Sequence, residues 1–277
     1  MKRKQSVIRA AASSPYVVWS VLFIVAPLLF VLWFAFTDGE GLPTIENMRG
    51  LSSYGRTFVM SIGFSLIATT VCFLIGYPLA YAMSRASKRT RNILTVLIML
   101  PMWTSLLVRT YALMALLDNG GIVSRALTGI GLIDGHLNFI GTGGAVILGM
   151  IYDFLPYMVL PIYTSMTKLD IRYVEAAADL GCNGAQTLFR VVLPLTVPGI
   201  VSGLTMVFVP SISTFYISQK LGGGSFDLIG DTIERQFQNT VTYNTGAAIS
   251  LVMMILILIS LGIMNHFTDE KSEVAVK

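Results

Sequence analysis

Residues 168–198, KLDIRYVEAAADLGCNGAQTLFRVVLPLTVP, form a soluble-looking segment patterned as two short helices. Asp170 is a typical N-cap for the first helix, and Gly181 is a typical left-handed residue just after its end. Asn183, with Gln186 three residues later, predicts a capping box that begins the second helix. That helix is expected to end near Pro194.

The first of these helices carries two different stripes, because residues three and four apart share a helix face. The charged stripe contains Arg172, Glu175 and Asp179, and the apolar stripe beside it contains Ile171, Val174 and Ala178. This pattern favours a docking surface over a membrane span.

The same segment resembles the EAA loop of ABC-importer permeases. The resemblance is carried by Glu175, Ala176, Ala177, Gly181, Val191, Leu193 and Pro194. Val191 stands where the family pattern has Ile. The resemblance implies that the short helix is a coupling helix that docks on a separate ATPase. Glu175 would offer an ionic contact to the ATPase. Ala176 and Ala177 would allow the ATPase to approach closely, and Gly181 would supply the turn after the helix. The plain alternative is an ordinary amphipathic surface helix.

The composition identifies a membrane protein. The chain has 277 residues, of which 54% are hydrophobic and only 12% are charged, and its mean hydropathy is +0.72. Soluble domains carry about 25% charged residues. We therefore expect an all-α membrane protein, organised as a single permease domain over residues 1–277.

Six apolar segments are long enough to cross a bilayer as helices, which satisfy their own backbone hydrogen bonds. The predicted spans are residues 15–36, 57–83, 93–117, 143–164, 195–217 and 243–267, with the coupling loop at 165–194. The first exceeds the apolar core of a signal peptide and is expected to be a retained span.

The basic residues predict the orientation. With the N-terminus in the cytoplasm, thirteen Lys or Arg residues lie on the cytoplasmic side and five on the other. Basic residues of short loops favour the cytoplasm. We therefore predict a multi-pass protein of a prokaryotic inner membrane, with both termini and the coupling loop cytoplasmic.

Two ionisable residues fall inside predicted spans, where a lipid-facing charge is costly. Asp153 either helps a cation across the membrane or pairs with Arg109 or a partner subunit. Arg109 lies in the outer half of its span and is expected to be structural.

Aromatic residues give further candidates for a substrate path. Trp103 is followed at helical spacing by Leu106, Thr110 and Leu113. An indole face can hold a cation, although such a stripe also fits simple helix packing. Tyr54, just before the second span, is either a path residue or an interfacial anchor.

No catalytic or metal-binding pattern is visible in the sequence. It contains no Gly-Lys dipeptide and hence no phosphate-binding loop, so ATP and Mg²⁺ are expected in a partner chain. His136 and His266 are predicted on opposite sides of the membrane, which disfavours a histidine metal site. Cys72 and Cys182 predict no disulfide framework.

A wider resemblance covers most of the chain from the second span onward. The segments LPMWTSLLVRTYAL (100–113), IYDFLPYMVLPIYTSMTKLD (151–170) and EAAADLGCNGAQTLFRVVLPLTVPGI (175–200) are similar to B-type permeases of spermidine/putrescine ABC importers. This resemblance implies a six-helix subunit with the type I ABC-importer permease fold. Its expected partners are a second permease, an ATPase dimer and an extracytoplasmic polyamine-binding protein.

Two alternatives to polyamine import remain open at this point. Related permeases for ferric iron, thiamine or sulfate share the EAA loop, so the substrate is less well defined than the transporter class. A polytopic membrane receptor or enzyme is the other alternative.

Overall fold

The structure is a computed structural model that describes residues 15–131 and 139–274. Helices account for most of these residues. They include α1 (Pro15–Ala35), α2 (Gly55–Arg85), α3 (Lys88–Met99), α4 (Leu106–Leu117), α5 (Ile122–Gly129), α6 (Gly143–Thr167), α7 (Ile171–Asp179), α8 (Gly184–Leu195), α9 (Val197–Ser213), α10 (Tyr216–Leu221), α11 (Ile229–Gln238) and α12 (Tyr243–Val274). A short helix, Glu46–Arg49, and a 3₁₀ helix, Gly50–Tyr54, precede α2. The basic N-terminal tail (Lys2, Arg3, Lys4 and Arg9), Lys277 and His136 lie outside the described residues.

The described chain divides into two compact units. One contains the described residues up to Gly55 together with Thr232–Leu256, and the other contains Arg56–Asp231 together with the described residues from Ile257 onward. The expectation of a single domain over residues 1–277 stays a prediction.

Helix α6 is the centre of the larger unit. Met158, in the middle of α6, is fully buried. A Cβ at either Gly76 of α2 or Gly203 of α9 would lie 2.9 Å from its side chain. Further along, a Cβ at Gly199 would overlap Ser165 of α6. Glycines therefore let two helices approach α6 closely enough to enclose it, as small residues commonly do in membrane bundles.

The smaller unit is closed by two asparagine amides at the end of α1. Asn47 Nδ2 donates a hydrogen bond to Thr37 O at 2.8 Å. Asn244 Nδ2 donates to the carbonyls of Thr37 and Asp38. These bonds give side-chain donors to two backbone carbonyls that lie just beyond the last residue of α1. Below them, Ala35 packs against a small core formed by Ala247, Ala248 and Leu251.

Among the described residues, five helices are long and apolar enough to span a membrane, and the number rises to six if one bent pair is a single span. The bent pair is α8 and α9, whose axes differ by 69° at Thr196. Pro194 precedes the bend and Pro198 follows it. Because proline lacks an N–H, Pro198 cannot continue the helical hydrogen bonding across the bend.

The third predicted span, residues 93–117, differs from a continuous helix. A 3₁₀ turn, Leu100–Trp103, follows α3, and Thr104 and Ser105 are extended before α4 begins. The Ser105 side chain accepts a hydrogen bond from Leu107 N at 3.3 Å and caps α4. The hydropathy of residues 93–117 does not reveal this break, because apolar residues lie on both sides of it. The apolar span in the structure is instead Leu106–Gly129.

Candidate functional site

Helix α7 begins as its sequence predicts. The carboxylate oxygen Oδ1 of Asp170 accepts a hydrogen bond from Arg172 N at 3.0 Å, which satisfies one of the free N–H groups of the first turn. The helix then runs from Ile171 to Asp179. The predicted N-cap is confirmed.

The end of α7 is a tight reversal that requires glycine. Gly181 has a φ of +79°. Its N–H donates to Ala178 O at 2.9 Å, and Cys182 N donates to Ala177 O at 3.0 Å. This pair of bonds is a Schellman motif, in which a left-handed residue without a Cβ closes the helix. The prediction that Gly181 supplies the turn geometry is confirmed.

The next helix starts immediately after the reversal. Gln186 N donates to Asn183 Oδ1 at 2.8 Å, and Asn183 N donates to Gln186 Oε1 at 2.9 Å. The predicted capping box is therefore confirmed. It fixes the direction of α8 relative to α7 through a four-residue connection, so the two helices form one preorganised unit.

The faces of α7 are partly different from the predicted stripes. Ala177 is 5% exposed and packs inside the chain, whereas Glu175 and Ala176 are exposed. Of the two alanines expected to allow close approach of a partner, only Ala176 is therefore accessible. Ile171, at the start of the predicted apolar stripe, is exposed, and Val174 is half-buried.

Large apolar side chains are exposed around α7 and α8. We call them the loop apolar surface, and they are Ile171, Tyr173, Leu180 and Phe189. Leu180 is 85% exposed, although it lies in a segment outside every candidate span. Exposed apolar residues grouped in this way mark interaction sites. Of the other predicted coupling residues, Pro194 is exposed and Leu193 is partly buried against the core of the larger unit.

Asp153 lies in the centre of α6 and is completely buried. Its carboxylate oxygen Oδ1 is 3.2 Å from Nη1 of Arg109, and Oδ2 accepts a hydrogen bond from Thr110 Oγ1 at 3.4 Å. Arg109 Nη1 also donates to the Asp153 carbonyl at 3.1 Å. This is the arrangement expected from the structural alternative, in which the two opposite charges neutralise each other within the bundle.

The aromatic stripe proposed from the sequence is split by the break before α4. Trp103 lies on the 3₁₀ turn and is 75% exposed. Leu106, Thr110 and Leu113 follow on α4, where Thr110 is buried and both leucines pack against the core of the larger unit. Trp103 and Leu113 are therefore not brought together on one continuous helix face.

Tyr54 belongs to the smaller unit. Its hydroxyl accepts a hydrogen bond from Gln236 Nε2 at 3.1 Å, which ties the turn before α2 to α11. The side chain is half-buried. This contact gives Tyr54 a structural partner within its own unit.

A cation site that the sequence reasoning missed lies between α4 and α10. The rings of Tyr111 and Tyr216 meet edge to face, with centroids 6.0 Å apart. Lys220 Nζ lies 5.5 Å from the Tyr111 centroid and 5.7 Å from the Tyr216 centroid. Both distances fit a cation–π contact. The spacing of Tyr216 and Lys220 by four residues was a readable signal, but Tyr111 is distant in sequence.

The described residues contain no group of three or more His, Cys, Asp or Glu side chains that could hold a metal ion. His136 is outside the described part, so the expectation that the histidines form no metal site stays a prediction. Within the described part, Cys72 and Cys182 are free thiols, the first buried and the second half-buried.

Comparison with known proteins gives matches over most of the chain. The family described as "Binding-protein-dependent transport system inner membrane component" matches residues 72–272. The spermidine/putrescine transport system permease protein PotB of Haemophilus influenzae is 38% identical over 246 residues, covering 86% of each chain. The protein of the same name from Escherichia coli K12 is 36% identical over 245 residues, covering 86% of this chain and 89% of its own.

Solved structures agree on the fold. A bacterial ABC transporter involved in the import of the acidic polysaccharide alginate matches with a TM-score of 0.77 over 96% of each chain, at 19% identity. A second structure is described as the alginate transporter in complex with an alginate pentasaccharide-bound periplasmic protein, and it matches with a TM-score of 0.76 over 96% of this chain at 19% identity. At this identity the likeness establishes the shared architecture.

Proposed function

The chain belongs to the family of binding-protein-dependent transport system inner membrane components, and we propose that it is the permease subunit of an ATP-driven polyamine importer. The observation that carries the proposal is its similarity, over 86% of the chain, to relatives named spermidine/putrescine permeases. The family match includes both the coupling loop and the cation site.

The proposed orientation places the coupling loop in the cytoplasm, with both termini on the same side. Arg85 and Arg91 belong to the most basic short loop of the chain, and they line one pocket together with Ile171 and Val174 of α7. The basic loop and α7 therefore lie on the same side of the bundle. Since basic loops favour the cytoplasm, this contact supports a cytoplasmic α7 in the inner membrane of a prokaryotic cell.

The partner on that side is an ATPase dimer that carries ATP and Mg²⁺. The loop apolar surface and the exposed Glu175 and Ala176 provide an apolar patch with one carboxylate and room for close approach. A short amphipathic helix with these properties suits a groove on another protein. Closure of the ATPases then moves α7, and the preorganised α7–α8 unit transmits that motion to the bent α9 as a rigid body.

The substrate path includes the site formed by Tyr111 and Tyr216. Its present occupant is the primary ammonium of Lys220, and the ends of spermidine and putrescine are the same chemical group. Two aromatic rings that hold one ammonium can hold another. Trp103 is exposed enough to contribute a further ring, and Leu113 and Tyr54 remain weaker candidates.

Asp153 remains a candidate for the path only in a state that separates it from Arg109. In the structure its charge is already paired and is shielded from solvent. We therefore assign Asp153 to stabilising the contact between α4 and α6.

The remaining partners are a second permease subunit and an extracytoplasmic protein that delivers the polyamine. The structure described with a periplasmic protein shares the fold of this chain, which supports a delivery protein of that kind. Lipid surrounds the rest of the bundle, where α1 has no buried residue in its most apolar window.

Uptake of radiolabelled spermidine and putrescine tests this function. Cells that lack the chain are complemented with the wild type, with Glu175→Lys, or with Glu40→Lys as a matched control on an exposed residue far from α7 in sequence. We expect uptake with the wild type and with Glu40→Lys, and none with Glu175→Lys. Normal uptake with Glu175→Lys would remove the coupling role. Uptake of a different solute, without polyamine uptake, would contradict the substrate.

A further inference from the structure

A small polar pocket lies where α2 and α6 end and where α3 and α7 begin. Its volume is about 170 Å³, which exceeds by far the ~10–15 Å³ that a single water requires. Its polar lining residues are Tyr81, Ser84, Arg85, Arg91 and Thr167. Helix α7 contributes Ile171 and Val174, so the pocket touches the coupling helix as well as the ends of two spans.

The pocket is positively charged. Arg85 and Arg91 both line it, and no carboxylate does. Within the described part of the chain, neither arginine has a carboxylate within ion-pair distance. Arg85 is exposed and Arg91 is half-buried, and an anion bound in the cavity that both line lowers the repulsion between their like charges.

The side chains around the arginines favour an oxyanion. The Arg85 guanidinium is held 5.4 Å from the Tyr81 ring centroid, which limits its motion. Ser84 Oγ and Thr167 Oγ1 already donate to the carbonyls of Tyr81 and Thr164. Among the lining side chains, the guanidinium groups of Arg85 and Arg91 are therefore the charged donors, and the Tyr81 hydroxyl is a further, neutral donor. The planar fork of a guanidinium matches a phosphate through two parallel hydrogen bonds.

The rest of the lining is apolar and favours a lipid as the source of the phosphate. Met166, Leu169 and Val192 line the same pocket. A free phosphate gains nothing from them, whereas the glycerol and first acyl carbons of a phospholipid bury apolar surface there. The pocket also lies at the ends of two spans, the depth at which headgroups occur. Basic pockets between transmembrane helices bind anionic headgroups in this way.

We infer that this pocket binds the phosphate group of an anionic phospholipid of the cytoplasmic leaflet and thereby holds the coupling helix against the ends of α2 and α6. The inference rests on the cytoplasmic orientation given with the proposed function. Its consequence is that productive coupling depends on the membrane composition. In a membrane of zwitterionic lipids alone, each phosphate is attached to an ammonium group that the two arginines repel, so the pocket binds lipid more weakly and α7 is held less firmly.

The test compares Arg85→Lys/Arg91→Lys with Arg89→Lys. Lysine keeps the positive charge, so the topology signal is preserved, but it loses the bidentate geometry. Arg89 is in the same basic loop, is exposed, and does not line the pocket. The purified complete complex is placed in nanodiscs containing phosphatidylglycerol in phosphatidylcholine. Native mass spectrometry then measures the retained phosphatidylglycerol. The measurement is repeated with about 20 mM inorganic phosphate, which competes with the lipid for the site.

We expect the double variant to retain at least about tenfold less phosphatidylglycerol than the wild type, because bidentate charge-assisted contacts are lost. Arg89→Lys should retain as much as the wild type. Equal retention in all three proteins would overturn the site, and full displacement by inorganic phosphate would overturn the lipid as its ligand.

A second readout separates this inference from the proposed function. Polyamine-stimulated ATP hydrolysis should be higher in phosphatidylglycerol nanodiscs than in phosphatidylcholine alone for the wild type, but equal in both for the double variant. Lipid retention is read whether or not the complex responds to polyamines. Absence of any response to polyamine therefore counts against the proposed function alone.

Discussion

The coupling loop and the buried pair of Arg109 and Asp153 are stabilised in opposite ways. Residues 170–186 are closed by hydrogen bonds between groups at most five residues apart, and most of the loop is exposed. The pair joins residues 44 positions apart, and Asp153 is completely buried. The first region derives its geometry from its own sequence, whereas the second exists only when α4 and α6 pack together.

The two regions therefore suit different functions, the loop in transmitting motion and the buried pair in holding two helices together. A loop whose hydrogen bonds join residues close in sequence keeps its conformation while it moves, so it can transmit motion from one protein to another. A buried pair resists separation of the two helices that carry it, because an unpaired charge in the bundle interior is costly. The following substitutions test whether the two regions are independent.

The largest expected effect is from Asp153→Ala. It leaves Arg109 buried without its partner, and breaking a buried pair costs about 3–5 kcal/mol. We expect a sharp loss of the thermal stability of the purified complex, measured by size-exclusion chromatography after heating. Arg109→Met/Asp153→Leu should recover most of the stability. If Asp153→Ala is as stable as the wild type, the pair does not hold the helices together.

A second effect concerns Gly181→Val. A β-branched residue in the left-handed region costs about 1–3 kcal/mol, so the Schellman reversal should open and α7 should lose its fixed direction. We expect transport to be abolished while the protein still inserts into the membrane, measured by polyamine uptake and by the amount of protein in membrane fractions.

Gly184→Ala is the matched control for Gly181→Val. Gly184 does not have a positive φ, and a Cβ there meets nothing within 4 Å. Its uptake should equal that of the wild type. Normal uptake by Gly181→Val would show that the reversal is dispensable for coupling.

A third effect concerns the site between α4 and α10. Tyr216→Ala removes one of the two rings around the ammonium, and a cation–π contact contributes about 0.5–2 kcal/mol. The polyamine concentration for half-maximal uptake should therefore rise by roughly 2- to 30-fold. Tyr216→Phe keeps the ring and should change this concentration little. A wild-type value for Tyr216→Ala would exclude the ring from the path.

The smallest effect is expected for Asp170→Ala, which removes the N-cap of α7. Losing a helix cap costs about 1 kcal/mol. Because the Schellman motif remains, we expect uptake to fall by less than in Gly181→Val, and Asp170→Asn should behave as the wild type. The measurement is the initial rate of uptake at saturating polyamine. A complete loss of uptake would show that the start of α7 matters more than its end.

The sequence predicted how the helices of residues 170–186 begin and end, because capping depends on residues a few positions apart, but it did not predict that Ala177 is buried. Asp170, Gly181 and the pair of Asn183 and Gln186 all have the predicted roles. Hydropathy predicted the positions of α1, α2, α6, α9 and α12 but not that of the third span, which is Leu106–Gly129. The ABC-importer permease fold was predicted from the resemblance.

Contacts between residues that are distant in sequence could not be predicted from the sequence pattern. The partner of Asp153 was one of two alternatives, since no local signal states which faces of α4 and α6 meet. The break at Thr104 and Ser105 was missed because hydropathy continues through it. Tyr111 was missed because its neighbours Tyr216 and Lys220 are more than a hundred residues away in sequence.

We propose that this chain couples ATP hydrolysis in partner subunits to polyamine import. The most direct test is the ATPase activity of the complex reconstituted with its ATPase, second permease and binding protein. Spermidine and putrescine are compared with thiamine and ferric iron. We expect stimulation by the polyamines alone, and loss of that stimulation in Gly181→Val. Stimulation by thiamine or iron instead, or failure to assemble with any ATPase, would contradict it.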